Sequence, residues 1–287
     1  MAFDLLEALL ETEALRLPPL GEVFWYTSGT LGPYYINTEN VYGGPDGAKD
    51  LLAFIDAENG AADFPFRLRE RVEKQYAEDE IYRQVIDALV EEAKDSGAEF
   101  AAVSGGERRD WFFSLAVAER LQKPHLLIYK DLRKVLLDGE DLRTVEKNDV
   151  KTLHVADLVT EASSYFRSWI PVVAEGGGRI AYAANVVDRG QGGIEALNTE
   201  GVAAGALLRV DEALFTRLLD MGRIDRKQFA VLVSYYRDPY AAMKSFLEAH
   251  PEFLRNALNG SDAKVAQRAE LLVTENPYDL DAELWLG

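Results

Sequence analysis

The chain has 287 residues, 48% hydrophobic and 28% charged, which fits one large or two modest globular domains. It carries a net charge of −18 and no cysteine, so disulfides, thiol nucleophiles and cysteine metal sites are excluded. The same charge argues against general nucleic-acid binding, and no apolar run is long enough to cross a membrane.

The opening MAFDLLEALLETEAL is acidic throughout. It reads as a first amphipathic helix instead of a signal peptide, which makes a cytoplasmic location the expectation. A Pro-rich connection over 17–20 leads into GEVFWYTSGTLGPYYINTENVYGGP, whose aromatic and β-branched residues predict a small antiparallel hairpin or hood. Packing of that hairpin accounts for at least one of Tyr34 and Tyr35. Residues 46–58 and 65–96 are predicted helical, with Ile81, Val85, Leu89 and Val90 at helical spacing.

Strands and helices then alternate. A strand over 100–104, a loop over 105–110 and a helix over 111–121 come first. Strands over 125–129 and 152–156 follow, then a helix over 163–174 ended by three glycines. A strand over 179–187, a DRGQGG loop with a short helix, and a fifth strand over 202–210 complete the series. That order predicts an α/β fold with a doubly wound, mainly parallel sheet flanked by helices. From residue 211 the pattern is helical, in DEALFTRLLDMG, DRKQFAVLVSYY, YAAMKSFLEAH and KVAQRAELLVTEN. The expected organisation is an α/β domain over 1–210, with its hood at about 20–45, and a helical C-terminal extension over 211–287.

The stretch KTLHVADLVTEASS, residues 151–164, carries the clearest chemistry. A buried strand brings Asp157 to its carboxyl end, and Thr160, Ser163 and Ser164 precede a helix start. Such a strand–turn–helix junction suits a phosphate, at the end of the sheet where open α/β folds bind ligands. Arg108 and Arg109 sit unfavourably near the start of another helix. Either an anion lies among them, or Glu107 and Asp110 neutralise them, with Asp110 as the cap. Lys130 ends a strand as a candidate phosphate contact or as a surface partner of Asp131. Arg189, beside its glycine-rich loop, is either a clamp for a carboxylate or imide edge or a tie to Asp188. The glycines at 176–178 precede a strand and so are no dinucleotide fingerprint. His125 and His154 fall in strand-like runs as structural histidines, and no histidine metal site or triad is expected.

In order, SGTLGPYYIN, VSGGERRDWFFSLAVAERLQKPHLLIYKD, the 151–164 stretch and VVDRGQGGIEAL resemble a type I phosphoribosyltransferase of the orotate branch, over about residues 1–210. The resemblance implies transfer of a phosphoribosyl group from 5-phosphoribosyl-1-pyrophosphate to a pyrimidine-like base. Mg²⁺ would be chelated by pyrophosphate and ribose hydroxyls, with no direct protein ligand, in a homodimer that binds small anions. It also implies that Asp157 binds ribose and that Thr160, Ser163 and Ser164 bind the 5′-phosphate. Lys130 with Arg108 or Arg109 would meet pyrophosphate, and Arg189 the base, with Tyr34 and Tyr35 as substrate contacts in the hood. Asp157 and Lys130 are the candidate catalytic residues.

The chain departs from that pattern where it matters. The family has two adjacent acids followed by Thr-Thr-Gly-x-Ser, and here Ala156 replaces the first acid, Glu161 the second Thr and Ala162 the glycine. A lost carboxylate removes about 1.5–3 kcal/mol of hydrogen bonding. Glu161 turned into the cradle would oppose the phosphate by roughly 4 kcal/mol per unit charge. Ala162 restricts a position that glycine leaves free. Leu31 stands near the hood's usual Lys, and Tyr129 replaces an Arg. LRKVLLDGEDLRTVEKNDV offers Arg133 and Lys134 but no His, and looks more like a small hairpin than a catalytic lid. Two readings remain. One is an active orotate enzyme; the other is an impaired relative that binds a nucleotide, base or other anion as a regulator. A third, an interaction protein working through its C-terminal helices, has no motif behind it.

Overall fold

A computed structural model describes residues 3–146 and 149–282. The chain divides into two compact units: Met1–Leu15 with Asn37–Val210, and Arg16–Ile36 with Asp211–Gly287.

The first unit is built on a seven-stranded sheet of β1 (Ala102–Gly106), β2 (His125–Ile128), β3 (Lys134–Asp138), β4 (Asp141–Thr144), β5 (Lys151–Val159), β6 (Arg179–Asp188) and β7 (Ala204–Arg209). Their spatial order is β7-β6-β5-β1-β2-β3-β4. The strands from β7 to β2 run parallel, and β3 and β4 add an antiparallel hairpin at one edge. The inner parallel strands are buried on both faces, which is why they read as mostly apolar runs, while β7 at the edge is half-buried. Side chains alternate between those faces. Leu126 and Ile128 join a cluster with Val172 and Val173, while His125 meets Ser114 on the helix Trp111–Leu121. That alternation makes the sheet doubly wound. Asp79 divides the long helical stretch into Phe64–Glu78 and Glu80–Asp95, accepting the Tyr82 N–H as the cap of the second.

Three boundaries differ from the sequence reading. β5 continues beyond 156, because Leu158 and Val159 stay in register with Val187 and Asp188. Asp157 therefore lies within the ladder. β1 takes in Gly105 and Gly106, which pair with Leu127 and Ile128. The helix after β5 opens with a π-helical turn, Tyr165–Trp169, before Ile170–Ala174. Pro171 has no N–H to contribute to a regular ladder there.

The chain leaves β1 towards β2, then returns to place β5 on the other side of β1. Connections thus depart from β1 and β5 in opposite directions, and a crevice opens at their carboxyl ends.

In the second unit, Phe24–Trp25 pairs antiparallel with Leu31–Gly32. Its helices are Glu212–Asp220, Arg226–Arg237, Pro239–Ala249, Pro251–Leu258 and Ala263–Glu275. Asp211, Asp225, Asp238 and Asp262 cap four of them. Pro251–Leu258 adds to the stretches the sequence marked, since proline at the first helical position starts a helix as readily as it ends one. Tyr34 is buried against Phe215 and edge-on to Tyr235, and Tyr35 meets Phe24 and Tyr26 edge-on. Among the described residues no helix is long and apolar enough to cross a membrane.

Candidate active site

A cavity of about 340 Å³ occupies the crevice. Its walls are residues 107–110 after β1, residues 156–160 and 162–165 around the end of β5, and Trp169. Asp157 Oδ2 accepts the Thr38 hydroxyl at 3.1 Å, and the Asp157 N–H donates to Asp110 Oδ1 at 3.2 Å. Asp110 Oδ2 accepts the Gly106 N–H at 3.0 Å, so one carboxylate ties the ends of β1 and β5 together. Burial, then the neighbouring Asp110, pushes the Asp157 carboxyl up to about 8; Arg109 acts against this and Glu39 adds to it.

In the turn after β5, Thr160 is half-buried, and Ser163 and Ser164 are exposed at the helix start. Ala162 is buried and has φ +57°, the left-handed conformation in which glycine is at home. An alanine holds it at a cost of about 1 kcal/mol. Glu161 is exposed and does not line the cavity. Gly193, the first residue of the helix Gly193–Thr199 after β6, allows close approach to this turn, because a Cβ there would lie 2.4 Å from the Thr160 carbonyl oxygen.

Across the cavity, Arg109 Nε lies 3.0 Å from the buried Glu39 carboxylate, and Arg108 is paired with Asp56. Glu107 instead holds the loop, accepting from Asn59 Nδ2 at 3.1 Å and from the Lys130 N–H at 2.9 Å. Asp110 makes no side-chain cap to the following helix. Trp169 packs on Gly106 so closely that a Cβ there would lie 2.3 Å from its Cζ2, and its ring stacks on His154 at 6.0 Å. His154 Nδ1 lies 3.0 Å from the Ser104 hydroxyl, and His125 Nε2 lies 2.8 Å from the Ser114 hydroxyl. Burial, with His154 nearby, lowers His125 to about 3, so its imidazole is neutral.

The chain matches no protein-family model. It is 29% identical over 130 residues to an orotate phosphoribosyltransferase of Pyrococcus furiosus, a match covering 45% of this chain and 70% of that protein. An orotate phosphoribosyltransferase structure from Francisella tularensis superposes with a TM-score of 0.54 at 13% identity, over 81% of this chain and 97% of the other. Leishmania donovani UMP synthase superposes with a TM-score of 0.55 at 15% identity, over 81% of this chain. The match spans 41% of the UMP synthase chain.

The chain has the type I phosphoribosyltransferase fold. Its resemblance within that fold is to the orotate phosphoribosyltransferases.

On this frame the site residues separate. Asp157, Thr160, Ser163, Ser164, Arg108 and Arg109 come together around the cavity. Lys130 is exposed outside the lining, and among the described residues its ammonium meets no carboxylate at ion-pair distance. Arg189 is half-buried outside the lining and donates its backbone N–H to the Val159 carbonyl at 2.9 Å. Asp188 accepts the Gly190 N–H at 2.8 Å and faces Arg209 at 3.6 Å. Tyr34 and Tyr35 belong to the second unit. Ala156 is buried, in the cluster that holds Ile128, Val159 and Tyr165. The stretch that read as a small hairpin in place of a lid does form the β3–β4 hairpin, with Arg133 3.6 Å over the Tyr129 ring and Lys134 paired with Glu175. Residues 147 and 148 of that stretch lie outside the described residues.

Sequence reasoning missed Thr38, Glu39 and Trp169. Thr38 and Glu39 sit in a short 3₁₀ helix, Thr38–Val41, far from the phosphate stretch in sequence. Trp169 read as an ordinary apolar helix position, and nothing local marked it as a cavity wall.

Proposed function

We propose that the cavity binds a 5-phosphorylated ribose, in an orotate phosphoribosyltransferase-like protein whose transfer to a pyrimidine-like base is weak or lost. The observation that carries this reading is the turn after β5. Ala162 adopts the glycine-like conformation and Glu161 stands in solvent, so the phosphate cradle is open. In this reading Asp157 accepts from a ribose hydroxyl. Thr160, Ser163 and Ser164 donate to the 5′-phosphate, with the following helix start behind them.

Transfer asks more of the chain. In this fold it works by positioning and electrostatics around a cation-like ribosyl centre, with water excluded. Arg108 and Arg109 would have to leave Asp56 and Glu39 to meet a pyrophosphate. Lys130 would have to swing in from outside the lining, and Arg189 would have to reach the base. Among the described residues no three His, Asp or Glu side chains converge to hold a metal. Mg²⁺ therefore fits only as an ion carried by the ligand's own oxygens, where it would neutralise charge on the leaving pyrophosphate. A regulatory role through the bound anion is the function this leaves, and a homodimer in a cytoplasmic setting is part of the same proposal.

Two measurements test it. Calorimetry with ribose 5-phosphate should show binding that is lost in a Thr160→Ala, Ser164→Ala double variant. Purified protein with orotate, 5-phosphoribosyl-1-pyrophosphate and Mg²⁺ should consume no orotate above background. Steady orotate consumption would overturn the impaired reading and leave the transferase.

A further inference from the structure

Beside the wall of the cavity formed by residues 107–110, two backbone amides and both arginines are engaged by the protein's own groups. The Gly106 N–H is taken by the Asp110 carboxylate and the Glu107 N–H by the Ile128 carbonyl at 2.8 Å. An acid thus already holds the place in this loop that an anionic ligand group would take. The two arginines next to it are neutralised from other elements, Arg108 by Asp56 and Arg109 by Glu39. Glu39 is only 7% exposed, so separating it from Arg109 would strand a buried charge. The Trp169 indole packs against the Cα face of Gly106 and stacks on His154 at 6.0 Å. Among the described residues the opposite wall, with Thr160, Ser163 and Ser164, has no such internal occupant. The two ends of one cavity therefore differ: hydroxyls and a helix start at one, a self-neutralised loop under an indole at the other.

We infer that the ligand is a ribose 5-phosphate without a 1-pyrophosphate, supplied as free ribose 5-phosphate or as a nucleoside 5′-monophosphate, and that Trp169 with Asp110 excludes the pyrophosphate. The inference rests on the phosphoribosyl reading of the cavity and names its ligand class. Added negative charge at the ligand's C1 position meets Asp110 and finds neither a free loop amide at Gly106 or Glu107 nor an uncommitted arginine. A neutral group at C1, a hydroxyl or a base, meets the flat face or edge of an aromatic ring instead.

Calorimetry on the full chain decides it, with ribose 5-phosphate, uridine 5′-monophosphate and 5-phosphoribosyl-1-pyrophosphate titrated separately in Mg²⁺. The first two distinguish the free sugar from the nucleotide as the source. For the wild type, 5-phosphoribosyl-1-pyrophosphate should bind no tighter than ribose 5-phosphate, and millimolar inorganic pyrophosphate should not compete. Trp169→Ala should raise the affinity for 5-phosphoribosyl-1-pyrophosphate relative to ribose 5-phosphate by tenfold or more. Trp169→Leu, which keeps more of the packing, should shift the ratio in the same direction if the alanine variant does not fold. Wild-type binding of 5-phosphoribosyl-1-pyrophosphate tenfold tighter than ribose 5-phosphate overturns the inference while leaving the phosphoribosyl reading intact. An unchanged ratio in both variants does the same. Failure of all three ligands to bind the wild type overturns the phosphoribosyl reading, and the inference with it.

Discussion

The Asp110 carboxylate accepts the backbone N–H of Asp157 at 3.2 Å, which sets two acids side by side, one in the loop after β1 and one near the end of the adjacent β5. The amide bond fixes the strands, and the second acid makes ionisation of the first unfavourable. Asp157 accordingly has a carboxyl pushed up to about 8 by burial and by Asp110. Its ordinary value in an unfolded chain is about 3.9. Between those values the folded state holds a proton that the unfolded state has released, so stability falls as pH rises through this window. Asp157→Asn should therefore be more stable than the wild type at pH 8, by at least about 1 kcal/mol, with the difference vanishing near pH 4. Urea melts of both proteins at the two pH values check the sign.

The two arginines of the loop after β1 should respond unequally to removal. Arg109→Ala leaves the buried Glu39 carboxylate unpaired and should cost about 1–3 kcal/mol. Arg108→Ala frees an Asp56 that already faces solvent, and should cost no more than about 1 kcal/mol. Equal losses in chemical denaturation would contradict this assignment of their partners.

Glu161 offers a direct check on the phosphate cradle. Because its carboxylate faces solvent, Glu161→Thr should change ribose 5-phosphate affinity by no more than about twofold at moderate salt, where exposed charges are screened. Thr160→Ala should weaken it by about 1 kcal/mol, roughly fivefold, through the lost hydroxyl. A large gain from Glu161→Thr would place that side chain inside the cradle.

Gly106→Ala tests the contact with Trp169 from the other side. A Cβ would lie 2.3 Å from an indole that is itself stacked on His154. Neither ring can yield cheaply, so the variant should lose about 1–3 kcal/mol by overpacking. Thermal melts of Gly106→Ala in the wild type and in a Trp169→Leu background check it, since the added methyl should cost much less once the ring is gone.

Some of this was legible in the residues alone. The runs at 125–129 and 152–156 could be read because strands buried on both faces are mostly apolar. The helix at 111–121 was bounded correctly, although Asp110, one candidate for its cap, makes no side-chain cap there. Asp157 and Thr160 identified one wall of the cavity because strand, turn and helix start are contiguous in sequence. The partners of Arg108 and Arg109 were out of reach, since Asp56 and Glu39 lie more than fifty residues away and local acids stood closer in the chain.

The sequence by itself determined the alternation of strands and helices, the doubly wound sheet and the place of the turn after β5, since hydrophobic period and turn chemistry act over a few residues. Only the tertiary structure decided the shape of that turn and what stands opposite it. The direction of Glu161, the left-handed backbone at Ala162, the Asp110 bridge between β1 and β5, and the Trp169 ring over Gly106 all depend on segments brought together by the crossover. Local propensity carries no information about such neighbours, because packing across the sheet sets them.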